Sequence, residues 1–165
     1  MPLIQLTGEK LPPKAEQILK EILQAAGLST ARVSDLGRTF EQQAKVIVEY
    51  YKIHGSQAAK ALYGRGPGGQ ALEVYEAEVK GKPIFEVLRH MADVMREGIR
   101  LERLKGAQHH LMHTSETHCV FDVAPSSITN HAAFVKAASQ HPKVSRFLHP
   151  GSHPPDKVFH LEIPN

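Results

Sequence analysis

Asp122 stands between Phe121 and Val123, and His160 stands between Phe159 and Leu161. A titratable side chain inside an apolar run is costly to bury unless it is paired or bound to a metal. Alternate residues share one face of a strand, so Asp122 and His160 on neighbouring strands can project to a common point. Zinc catalysis is the chemistry such a pair can support, given three protein ligands and a fourth position open to water. A buried ion pair is the other outcome, since structural pairs perturb titration just as active sites do.

The third ligand is expected to be a histidine upstream of Asp122. Nine of the 11 histidines fall between residues 109 and 160, so a site built on imidazoles draws from this stretch. His118 precedes Asp122 by four residues, which in a regular strand is about 13 Å, too far to share an ion. It can serve only if the chain bends at residues 118–119. His113 lies in the loop-like Met-His-Thr-Ser-Glu-Thr and can fold back, which makes it the preferred of the two.

The elements that must position these residues follow from periodicity. Ala15, Ile18, Leu19, Ile22, Leu23 and Ala26 recur at helical spacing, predicting a helix over 13–26 that Gly27 ends. Residues 31–36 alternate in part and predict a strand. Thr39 with Gln42 three residues on makes a capping box for a second helix, over 39–53. Residues 55–82 lack regularity, and Gly64-Arg-Gly-Pro-Gly-Gly69 predicts a loop, though no phosphate loop, because no Gly-Lys-Ser/Thr follows it. Pro83 opens a long helix to about Lys105, with Val87, Leu88, Met91, Val94, Met95 and Leu101 as its stripe and Gly106 as its stop. A short helix over 130–140 and strands over 119–124, 145–148 and 158–163 complete the pattern. Helices come mainly first and strands mainly last, so the expected fold is α+β, with a small antiparallel sheet of about four strands packed against helices. The length predicts one domain, 1–165, with an irregular helical and Gly-rich insertion around 55–108.

Several segments, in order, resemble the zinc D-Ala-D-Ala carboxypeptidase and L-alanyl-D-glutamate endopeptidase family, which shares a fold with the hedgehog signalling domain. Val33-Ser-Asp-Leu-Gly-Arg-Thr-Phe-Glu-Gln-Gln43 resembles the family's strand, Gly-Tyr-Arg-Ser/Thr turn and following helix. Leu62-Tyr-Gly-Arg-Gly-Pro-Gly68 resembles the loop of endolysin-type members. Val120-Phe-Asp-Val123 resembles the end of the Ser-x-His-x-x-Gly-x-Ala-x-Asp motif, and Phe159-His-Leu-Glu-Ile163 the closing Trp-His-Phe-Glu strand. The resemblance spans residues 30–163 in outline, with no single motif intact.

The resemblance implies that Asp122 and His160 bind zinc, and that Arg38 steadies the developing oxyanion with a fixed charge. It also implies hydrolysis of a peptide bond in bacterial cell-wall peptides, of the D,D- or L,D-type. The family's first histidine falls seven residues before the aspartate, where this chain has Ser115. A two-residue insertion restores the match through His113 and puts His118 at the family's glycine. The family's carboxylate base falls at Lys157, which leaves Asp156 beside it, or Glu162 on the face of His160, as the candidates. A member of the fold that binds cell-wall peptide or a protein partner without catalysis is the alternative.

Composition narrows the remaining classes. The net charge is +3 and the pI near 9.0, yet no basic block or aromatic-basic interleaving marks a nucleic-acid surface. Cys119 is the only cysteine, which excludes an intramolecular disulfide framework and a CxxC zinc site. No apolar run reaches bilayer length. The N-terminal residues lack the succession of a secretory signal. A chain made in the cytoplasm and then released or exported to act on the wall is expected, as for a phage lysis enzyme or an antibacterial effector.

Overall fold

The computed structural model describes residues 2–105, 111 and 113–165. In chain order these form β1 (Gln5–Gly8), α1 (Pro13–Ala25), β2 (Thr30–Leu36), α2 (Phe40–His54), α3 (Ser56–Tyr63) and α4 (Gly66–Glu78). There follow α5 (Ile84–Leu104), β3 (His118–Val123), α6 (His131–Gln140), β4 (Arg146–Leu148) and β5 (Phe159–Pro164). This is the expected α+β class. Gly106, predicted to stop the long helix, and His109 and His110 lie outside the described residues. No described helix is long and apolar enough to cross a membrane.

Two compact units divide the chain, residues 1–37 with 116–165 and residues 38–115. The first holds a five-stranded sheet in the order β1-β2-β3-β5-β4. The sheet is mixed, not wholly antiparallel, because β1 joins β2 in parallel while the other three pairings are antiparallel. β3 and β5 are neighbours, as the paired site requires.

Apolar alternation explains which face of this sheet is covered. Val33, Phe121, Val123, Phe159, Leu161 and Ile163 join the stripe of α1 and Phe134 and Ala138 of α6 in one core. Pro13 starts α1 where its missing N–H costs nothing. Gly27 ends it with a φ of 68°, and the N–H of Leu28 donates to the Leu23 carbonyl at 2.8 Å, the bond of a Schellman cap. Against the other face lie the residues that alternate with the core set, among them Asp122, His160 and Glu162.

The second unit is helical throughout α2–α5. The Thr39 hydroxyl accepts from the Gln42 N–H at 3.2 Å, and the Gln42 side chain accepts from the Thr39 N–H at 2.9 Å, completing the predicted capping box. Regular helices replace the irregularity expected at 55–82. The glycine-rich stretch is a tight junction between α3 and α4, with Pro67 in the first turn of α4. A Cβ on Gly68 would stand 2.7 Å from the Tyr63 carbonyl oxygen, and one on Gly69 2.5 Å from that of Gly64. Here glycine serves close backbone approach and not a loop. Val87, Met91 and Met95 of α5 lie in this unit's own core, whereas Leu101, expected in the same stripe, is exposed.

Candidate metal centre

The register of β3 against β5 makes Asp122 and His160 direct cross-strand partners. Both point away from the core face, because their flanking residues fill it. His160 Nδ1 lies 3.1 Å from Asp122 Oδ1, and His160 Nε2 lies 3.0 Å from Glu162 Oε1. Exposure is 0% for His160 and 7% for each carboxylate, so the three groups meet largely out of water. Burial pulls the imidazole towards neutrality, but hydrogen bonds to Asp122 and Glu162 and their charges outweigh it and raise the pKa to about 9.

Among the described residues, one group of side chains could hold a metal ion. It comprises His113, Asp122 and His160, each offering one ligand atom, with all three atoms within 4.8 Å of one another. His113 is therefore the imidazole the structure brings to the pair. His118 is not in the group, for a physical reason. It begins β3 opposite Pro164, and the strand runs regularly from 118 to 123 without the bend that sharing an ion with Asp122 would require. Its Nδ1 faces the Thr117 hydroxyl at 2.8 Å instead.

Arg38 anchors the segment that carries His113. Its N–H donates to the His113 carbonyl at 2.6 Å, its carbonyl accepts from the Ser115 N–H at 3.3 Å, and it forms a parallel bridge with Thr114. Burial raises the Tyr63 phenol above its ordinary value, and the Arg38 charge partly offsets that rise. Asp156 occupies the turn before β5, where its carboxylate accepts from the Val158 N–H at 3.2 Å and its own N–H donates to the His149 carbonyl. Glu162 faces the outer nitrogen of His160.

Two neighbours of the site escape sequence reasoning. Arg146 is the register partner of Glu162, with Nη1 3.7 Å from Glu162 Oε1. Asp35 pairs with Asp122 across β2 and β3, after a register shift between Val33 and Asp35. The signal for Arg146 is its odd-numbered spacing from the apolar Phe147, which places it on the polar face. For Asp35 the register shift hides that signal. Compared with family models, with curated proteins and with solved structures, the chain matches none.

Proposed function

We propose that the chain is a zinc-dependent peptidase acting on a D,D- or L,D-type bond of bacterial cell-wall peptides. The observation that carries the reading is the convergence of His113, Asp122 and His160. The donor chemistry fits zinc, since two imidazoles and one carboxylate make a three-ligand set that leaves a coordination position for water. The 3.1 Å separation of His160 Nδ1 and Asp122 Oδ1 is close to the roughly 3–3.5 Å between ligands each about 2 Å from one ion. Zinc bound there would polarise the scissile carbonyl and acidify its water.

The chain's own residues supply the rest. Arg38, tied by its backbone to the His113 segment, offers the fixed positive charge for the developing oxyanion. Asp156 and Glu162 are the carboxylates available to take a proton. The cell-wall substrate and the hedgehog-type fold family come from the resemblance of residues 30–163 and are part of the proposal. So is a chain made in the cytoplasm that acts after release or export.

Lys157, at the family's base position, favours a second reading in which the chain binds cell-wall peptide or a protein partner without cleaving it. One experiment separates them. Metal analysis of untagged protein, with cleavage of purified muropeptides followed by mass spectrometry, should give one zinc per chain and a released fragment. Arg38→Ala should lower turnover by about 10²–10³-fold with zinc content unchanged. Zinc without cleavage supports the binding reading, and no zinc removes both.

A further inference from the structure

We infer that Glu162 is a positioning residue, which holds the His160 ring through Nε2 so that Nδ1 is the nitrogen offered to the metal. This rests on the zinc reading above. A ligating histidine uses one ring nitrogen, and the partner of the other sets the ring's orientation and tautomer. In His160 the two nitrogens are already sorted, with Nδ1 at Asp122 and Nε2 at Glu162. Asp122 belongs to the metal-capable group and Glu162 does not. The metal side is the Nδ1 side.

The sheet builds this arrangement and fixes Glu162 in turn. His160 and Glu162 are two apart on β5 and share its face, and β3 sets Asp122 directly opposite His160. On the other flank, β4 sets Arg146 opposite Glu162, its Nη1 3.7 Å from the same Oε1 that meets Nε2. The N–H and the hydroxyl of Ser145 both donate to the Glu162 carbonyl, at 2.9 and 3.0 Å, pinning the β5 backbone there. Guanidinium, carboxylate and imidazole thus follow one another from β4 to β5, from the half-buried Arg146 to the buried Glu162 and His160. A carboxylate that meets Nε2 through Oε1 would be poorly placed to serve a metal held at the Nδ1 side. Glu162 is then not the base, and Asp156 is the remaining candidate.

The test is chelator-competition titration of the full chain with zinc, with cobalt absorption reporting ligand geometry, for wild type, Glu162→Ala and Glu162→Gln. Glu162→Ala should weaken zinc binding by about 10–100-fold and alter the cobalt spectrum. Glu162→Gln should lose only a few-fold, because its amide oxygen still accepts from Nε2–H. If Glu162 were the base, both variants would bind zinc like wild type and lose turnover, which overturns the inference. Equal weakening in both overturns it as well, since loss of charge alone would then be the cause. Should Glu162→Ala fail to fold, Glu162→Gln decides: affinity within a few-fold of wild type with turnover retained supports positioning, whereas wild-type affinity with turnover lost, or a loss of affinity matching His160→Ala, refutes it. A wild-type chain that binds no zinc overturns the proposed function itself, whereas tight wild-type binding unaffected by Glu162→Ala overturns the inference alone.

Discussion

At the residue scale, the question is whether Asp122 and His160 are ligands or a structural pair, and zinc-linked stability separates the two. A metal bound only by the folded state stabilises it by mass action, by about 2.7 kcal/mol at 100 times Kd. Wild-type protein should therefore melt higher in zinc than in chelator, while Asp122→Ala and His160→Ala should show no such difference and no stoichiometric zinc. A structural pair predicts instead that each substitution destabilises equally with and without chelator, through the buried charge left unpaired. His118→Ala should keep its zinc, because β3 holds that residue four strand positions from Asp122. Much of this centre is legible in the sequence. Asp122 and His160 stand out because each interrupts an apolar run that has no other reason to tolerate a charge. The choice between His113 and His118 is not legible, since it turns on whether the chain bends near 118. Regular strand pairing up to Pro164 leaves no such bend, and the metal-capable group holds His113.

At the element scale, local chemistry that declares itself by type and spacing is what periodicity reads well. The Thr39–Gln42 capping box places the start of α2, and Thr39→Ala should lower stability by about 1 kcal/mol in denaturant titration while leaving zinc content unchanged. Glycine is read less well, because it marks loops and close packing alike. In the α3–α4 junction it marks close packing. Gly69→Ala would drive a Cβ against the backbone of Gly64 and should cost about 1–3 kcal/mol, with lost helical signal in circular dichroism. An undiminished signal and unchanged stability would show that the junction relaxes freely. β1 goes unread for a different reason. Gln5-Leu-Thr-Gly8 is short, sits at the sheet edge with mostly exposed residues, and owes its conformation to parallel pairing with β2. Tertiary pairing of this kind leaves little local trace.

At the scale of the whole molecule, the length prior points to one domain, yet two separate apolar clusters organise the chain. One joins α1 and α6 to the sheet, and the other lies within α2–α5, between β2 and β3 in sequence. Each has a large side chain at its centre that is completely covered: Phe134 in the first and Met91 in the second are both 0% exposed. Truncating either to alanine leaves a cavity worth about 2–5 kcal/mol. If each cluster sustains its own unit, the loss should be local, because cooperative segments open with separate free energies. Hydrogen exchange followed by mass spectrometry should then find Met91→Ala deprotected over 38–115 and Phe134→Ala deprotected over 1–37 and 116–165. The metal-capable group gives this measurement a functional side, since β3 and β5 belong to the Phe134 unit. In chelator, Phe134→Ala should loosen the strands carrying Asp122 and His160, and Met91→Ala should leave their exchange near wild type. Equal deprotection of both units by either substitution would mean that the chain unfolds as one cooperative body despite its two cores.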